Sequence, residues 1–189
     1  ETGVMESDST MIHWDGEKRR RGEWERDLSL RDAFHVSCVP CYQEIARKIG
    51  MEQMKEYLEK LDYGRMIVDS ASIDIFWLEG DSKISQFEQI DFLQRFYSSR
   101  LPISTKTENI MKRLMVIEEN DTIRLSGKTG WSVRNGYNNG WFVGYIEKGE
   151  KLLFYATNIN PNVEFNMDLF PVIRKQITMK ALEILLEKL

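Results

Sequence analysis

Histidine and cysteine are scarce in this 189-residue chain, with two of each. Two cysteines, Cys38 and Cys41, exclude a four-cysteine zinc site. His13 and His35 show no Ser or Asp partner by spacing, so a Ser-His-Asp hydrolase finds no support and both read as structural. No apolar run approaches the roughly 20 residues that a membrane span needs. The chain opens Glu1-Thr2-Gly3-Val4 without an initiator Met, so the lack of a visible signal peptide says nothing about its address. Neither charge sign dominates: 26 Lys and Arg stand against 30 Asp and Glu, a net charge of -4, and nothing advertises a nucleic-acid surface. The one basic run, Lys18-Arg19-Arg20-Arg21, is flanked by Glu17, Glu23, Glu25 and Asp27 and reads as a solvated loop. There is no internal repeat, low-complexity segment or linker.

What remains suits one globular domain, with 42% hydrophobic residues and enough length for a core. Residues 1 to 28 read as irregular. Ser29-Leu30-Arg31-Asp32 resembles a capping box that opens a short helix. Pro40 fits the first turn of a helix from Val39 to Ile49, ended by Gly50. Met51 to Leu61 reads as the next helix. Ser85-Gln86-Phe87-Glu88 caps another, whose buried face is predicted to carry Phe87, Ile90, Phe92, Leu93 and Phe96. A further helix is predicted over Thr107 to Val116. The apolar period then drops to two and predicts strands at Thr122 to Thr129, Gly140 to Glu147 and Leu152 to Asn158. Lys148-Gly149-Glu150 is the tight turn between the last two. A closing helix, about Leu169 to Lys188, should turn Ile173, Ile177, Leu182, Leu185 and Leu186 inward. Helices, then an antiparallel sheet, then a helix predict an α+β fold. The mainly helical region covers about 30–118, and the strands with the last helix about 119–189.

Cys38-Val39-Pro40-Cys41 mimics a thioredoxin-type motif, and a helix N-terminus would activate its first thiol. That motif belongs in a βαβ unit, which is missing here. The two cysteines therefore read as small buried apolar residues, with a redox pair or opportunistic disulfide and a mixed metal site as the alternatives. Lys128-Thr129-Gly130, followed by Trp131, lies at the end of a predicted strand. It sets a cation, a hydroxyl and a side-chain-free backbone in one line, which suits an acylating substrate that carries a carboxylate. The tripeptide belongs to the motif set of penicillin-recognising serine enzymes.

The company it keeps extends the resemblance. Leu30-Arg31-Asp32-Ala33-Phe34 leads into Ser37-Cys38-Val39-Pro40, then Tyr42-Gln43-Glu44-Ile45-Ala46-Arg47-Lys48-Ile49-Gly50. Asp62-Tyr63-Gly64, Phe76-Trp77-Leu78-Glu79-Gly80, Ile84-Ser85 with Gln89, Phe92-Leu93, Trp141-Phe142-Val143-Gly144 and Arg174 follow in order. Over essentially its whole length the chain resembles the class D (oxacillinase-type) serine β-lactamases. The resemblance implies an antiparallel sheet flanked by helices plus a helical subdomain, and β-lactam antibiotics as substrates. It implies that Ser37 shuttles a proton beside the nucleophile and that Lys128 sets the electrostatics around it. Val39 and Leu78 would wall off the general base, and Trp77 would donate to a carbamylated lysine formed with CO2. Thr129, Gly130 and Arg174 would hold the substrate, its carboxylate above all. The backbone N–H of Trp131 would be one of two oxyanion donors. The full-length family member is expected to be periplasmic or secreted.

Two departures stand out. The family's nucleophile lies in Ser-x-x-Lys, and no lysine here has Ser or Thr three residues before it. The family motif falls upstream of Glu1, so the nucleophile helix, its lysine and the first strands are expected to be missing. A chain without the attacking serine is expected to be inactive alone and poorly stable. Arg65 stands where the family has Asn after Tyr-Gly, which puts that loop's geometry in question. The alternative activity is a penicillin-sensing receptor domain that is acylated without turnover.

Overall fold

The period-two stretch folds into a four-stranded antiparallel sheet whose strands lie side by side in chain order. The computed structural model describes residues 1–162 and 164–188. β3 is Val116–Glu119, β4 Arg124–Arg134, β5 Tyr137–Lys148 and β6 Lys151–Ile159. β5 and β6 overrun their predicted bounds at both ends, while β4 starts at Arg124 rather than Thr122 and runs on to Arg134 rather than ending at Thr129. Gly130 and Gly140 look like punctuation in the sequence but are paired ladder residues, opposite Trp141 and Trp131. The true β4–β5 turn is Asn135-Gly136, both with positive φ (51° and 79°), the two-residue hairpin that matches strand twist. The Gly149-Glu150 turn joins β5 to β6 as expected. Val116, the first residue of β3, was expected to end a helix, and no strand was expected there. Instead α5, Thr105–Met115, stops one residue before it.

Gly127 and Gly144 face each other across β4 and β5 because the backbones there leave no room. A Cβ on Gly127 would clash with Tyr155 Oη and sit 2.7 Å from the Val143 carbonyl. Tyr155 Oη uses that space to donate to the Ser126 carbonyl at 2.9 Å.

Helices cover both faces. α6, Phe170–Lys188, packs on β5 and β6. Its buried stripe, Phe170, Arg174, Thr178, Leu182 and Leu186, repeats every four residues. Ile177 and Leu185, predicted to face inward, are each 48% exposed, and Leu182 and Leu186 alone of the expected set are fully buried. Apolar and polar residues are spread round the whole helix, so sequence periodicity gives its inner face poorly. Under it lie Leu125, Phe142, Ile146 and Tyr155.

On the opposite face α4, Gln86–Tyr97, and α5 pack with Leu93, Phe96, Leu101, Met115 and Tyr145 between them. The Ser85–Glu88 capping box closes in both directions. Phe87, predicted buried, is 88% exposed because it sits in the first turn, beside that cap rather than over the sheet. α2, Val39–Ile49, and α3, Met51–Leu61, have the predicted bounds. Residues 1–28 hold a feature the sequence hid: β1, Met11–Ile12, pairs antiparallel with β2, Leu28–Ser29. Its Ile12 and Leu28 share a core with Ala33, Cys38 and Cys41. Arg65 leaves its loop intact, since its backbone exchanges hydrogen bonds with Lys83 at 2.9 and 2.8 Å.

Candidate active site

Ser37 is delivered by the way α1, Leu30–His35, ends. The Ser37 N–H donates to the Phe34 carbonyl at 3.3 Å, and the Cys38 N–H to the Ala33 carbonyl at 2.9 Å. Those two bonds make a Schellman motif with Ser37 at the left-handed position, φ 51°. Glycine normally fills that position, so a serine there is held against a backbone preference of about 1 kcal/mol. Cys38 then caps α2, with the Cys41 N–H 3.3 Å from its sulfur.

Lys128 comes from β4, 91 residues away, and its ammonium donates to Ser37 Oγ. The same Nζ donates to the Thr129 carbonyl at 3.2 Å and lies 5.4 Å from the Phe34 ring centroid. Burial, with Arg174, Lys175 and Arg21 adding their charge, lowers the Lys128 pKa to about 8. A lysine so placed holds its proton loosely at neutral pH.

β3 pairs with β4 only as far as Ser126. From Lys128 to Trp131 the outer edge of β4 therefore has no partner strand among the described residues, while its inner edge is tied to β5. An open edge of backbone N–H and C=O groups can take an extended ligand as an added strand.

Arg174, 7% exposed, donates to the Gly130 carbonyl at 2.5 Å. Its guanidinium carbon lies 6.0 Å from the Trp131 ring centroid and 5.8 Å from that of Phe170, and burial lowers its pKa. Its Nε is buried without a hydrogen-bond partner among the described residues. Trp131 is clamped edge-on by Phe170 at 5.1 Å, and its Nε1 donates to Asn138 Oδ1 at 2.9 Å.

Of the residues expected at the site, Ser37, Lys128, Thr129, Gly130, Trp131 and Arg174 converge on this edge. Val39 heads α2, two residues from Ser37. Trp77 and Leu78 lie in an irregular, half-buried segment. Trp77 packs on Phe76 at 5.1 Å, and no hydrogen bond links it to Ser37 or Lys128 among the described residues. What holds that segment is Arg134 at the far end of β4, which donates to the Leu78 carbonyl at 3.4 Å and the Ser82 carbonyl at 2.7 Å. Arg134 carries no signal in the sequence, since a lone strand-end arginine looks solvated.

The basic run needs correction. Arg20 reaches over the Trp131 ring at 5.9 Å, and Arg21 packs on Trp24 at 5.3 Å and donates to the Val36 carbonyl at 3.4 Å. The loop thus adds positive charge to the site rather than only meeting solvent. The cysteines need one too: Cys38 and Cys41 are joined in a disulfide, not free apolar residues. Nothing in composition distinguishes the two states. His13, expected to have no Asp partner, pairs with Asp27 at 2.8 Å on the surface, and His35 lies exposed against Phe34.

Comparison with known proteins agrees with the motif order. The sequence profile of the penicillin-binding protein transpeptidase domain matches residues 1–172. Beta-lactamase OXA-10 of Pseudomonas aeruginosa is 39% identical over 186 residues, covering 97% of this chain and 68% of that protein. Beta-lactamase OXA-48 of Klebsiella pneumoniae is 36% identical over 175 residues, covering 93% of this chain and 66% of that protein. Among solved structures, the class D beta-lactamase YbXI from Nostoc superposes with a TM-score of 0.91 at 39% identity, covering 97% of this chain and 76% of that one. A class D beta-lactamase from Sebaldella termitidis gives a TM-score of 0.90 at 39% identity, covering 97% of this chain and 73% of that one. The ordered motifs, the α+β sheet and these likenesses make the chain a member of the class D β-lactamases within the penicillin-binding transpeptidase family.

Proposed function

We propose that this chain is the larger part of an enzyme that hydrolyses the amide of penicillin-type β-lactams through an acyl-serine. The observation that carries the reading is the Lys128 ammonium on Ser37 Oγ beside the open β4 edge. Ser37 would pass a proton between the nucleophile and the β-lactam nitrogen. A loosely held proton on Lys128 suits that relay, since the leaving nitrogen must be protonated as the ring opens. The Trp131 N–H would donate to the acyl oxyanion. Thr129 Oγ1 and Arg174 would hold the substrate carboxylate, with the unpartnered Arg174 Nε and the charge of Arg20 favouring the anion. Val39, Leu78 and Trp77 would form the dry wall of the general base.

The Ser-x-x-Lys motif is absent from this sequence, and with it the lysine that would take up CO2 as a carbamate. The chain by itself is therefore proposed to bind β-lactams weakly and to turn none over. The Cys38–Cys41 disulfide supports an exported address, because disulfides persist in oxidising compartments.

The test fuses a family-type N-terminal segment with Ser-x-x-Lys to Glu1 and follows a chromogenic cephalosporin with added bicarbonate. Turnover by the fusion and none by the chain alone is the expected result. A well-folded fusion that neither turns over nor acylates would end the proposal. One that acylates and stays acylated would point to a sensor instead.

A further inference from the structure

A second chemical site lies behind Ser37, and nothing in the proposed hydrolysis uses it. Cys38 and Cys41 line a cleft of about 210 Å³ together with Arg19, Arg26, Arg47 and Glu44. Three arginines meet two carboxylates there, Asp15 and Glu44. Arg19 is paired with Asp15, and Arg47 with Asp74, which is not among the cleft's walls. Arg26 is exposed and makes no ion pair among the described residues. Glu44 is paired with Lys48, so Arg26 is the unmatched charge and the cleft favours a small anion.

The two sulfurs are not equivalent. Cys41 is 8% exposed and Cys38 1%. Cys38 is the N-cap of an eleven-residue helix, and the Cys41 N–H points at its sulfur. Negative charge on the Cys38 sulfur would be stabilised by that N–H and by the helix N-terminus. The better leaving group is thus the buried sulfur and the better target the more open one, the polarity that exchange requires.

We propose that Cys38–Cys41 is a thiol–disulfide exchange site for small anionic thiols, and that its reduction loosens the turn that holds Ser37. A thiolate entering the cleft attacks Cys41 Sγ. A bond forms between the two sulfurs, the Cys38–Cys41 bond breaks, and its electron pair leaves on Cys38. A second thiolate attacks the bound reductant's sulfur, releases Cys41 as thiolate and leaves as the reductant's disulfide. Two protons from the incoming thiols end on the two cysteines, so two thiols are oxidised as one protein disulfide is reduced. Cys38 then loses its side-chain cross-link to the first turn of α2 and keeps only the backbone link. Its N–H to Ala33 and the Ser37 N–H to Phe34 lose the brace that fixes the turn. This inference does not depend on the hydrolytic activity.

The experiment uses the whole chain, purified without reductant. Native-state thiol release is followed by alkylation and mass with 2-mercaptoethanesulfonate, 2-mercaptoethanol and cysteamine, compared per thiolate. One unmatched charge at about 6 Å in water favours the anionic thiol over the neutral one by about threefold. Arg26→Glu should erase or invert that order. Amide exchange at Ser37 and Cys38 should quicken several-fold on reduction, while α4 stays unchanged. Two free thiols in the purified chain, release only on unfolding in urea, equal rates that Arg26→Glu leaves alone, or unchanged exchange at Ser37 would each overturn it.

Discussion

Replacing Lys128 with methionine should make the chain more stable near neutral pH and remove a pH dependence. The folded pKa of Lys128 is about 8, against 10.5 for an ordinary lysine. Holding that group charged in the fold is unfavourable by about 3 kcal/mol at pH 7. The methionine would forfeit the hydrogen bonds to Ser37 Oγ and the Thr129 carbonyl, each worth about 1 kcal/mol net. A gain of about 1 kcal/mol at pH 7 remains. The sign with pH follows from proton counts. Between pH 8 and 10.5 the unfolded chain keeps a proton that the folded chain has released, so the parent's stability rises with pH. Below pH 8 both states hold the proton and the penalty is in full force. Relative to Lys128→Met, the parent should recover about 2 kcal/mol between pH 7 and pH 9.5. Urea unfolding of both proteins at the two pH values, followed by tryptophan fluorescence, gives the double difference and cancels every other titrating group. If the two stability curves run parallel in pH, Lys128 is not desolvated as described and the charge relay built on it fails.

Ser37→Gly relieves about 1 kcal/mol of left-handed backbone strain but forfeits the Lys128 hydrogen bond of about the same worth, so its urea midpoint should stay near the parent's, whereas added to Lys128→Met it should stabilise by about 1 kcal/mol. Gly127→Ala should destabilise it by about 2 to 3 kcal/mol in the same assay, since the new methyl meets the Val143 carbonyl and Tyr155 from both sides. Ser85→Ala opens the capping box of α4 and should lower stability by about 1 kcal/mol, measured by thermal melting. Arg134→Ala frees the Leu78 and Ser82 carbonyls. Amide exchange around residues 76–82 should accelerate while the Lys128 region stays protected.

The legible parts of the sequence were those where local chemistry and tertiary need agree. α2 and α3 came out residue for residue because Pro40, Gly50 and Asp62 punctuate them and their apolar stripes are narrow. β4 and β5 were read too short because Gly130 and Gly140 suggest breaks, yet in a sheet a glycine can mark a close approach. Gly140 makes the case: a Cβ there would lie 2.5 Å from the Phe170 ring. The inner face of α6 was half legible, as a helix with apolar residues on every side carries no moment to read. The site residues were visible only as an ordered set of short motifs. Spacing alone could not bring Ser37 to Lys128 across 91 residues, nor show that Arg20 leans over Trp131. The disulfide stood in the sequence only as an alternative, for a simpler reason: two cysteines three apart have the same composition whether joined or free.

The Schellman turn at Ser37 also bears on which residues selection can accept there. Threonine carries the same hydroxyl, and in most relays it would serve as well. At φ 51° its second branch on Cβ would crowd the backbone, which makes a β-branched residue an outlier in that region. Alanine and cysteine would fit better than threonine and do less. The local fold thus narrows the alphabet at this position before chemistry is consulted. Serine is the residue that the turn tolerates and the Lys128 ammonium can use, so a Ser37→Thr variant fails through its backbone while keeping every functional group it needs.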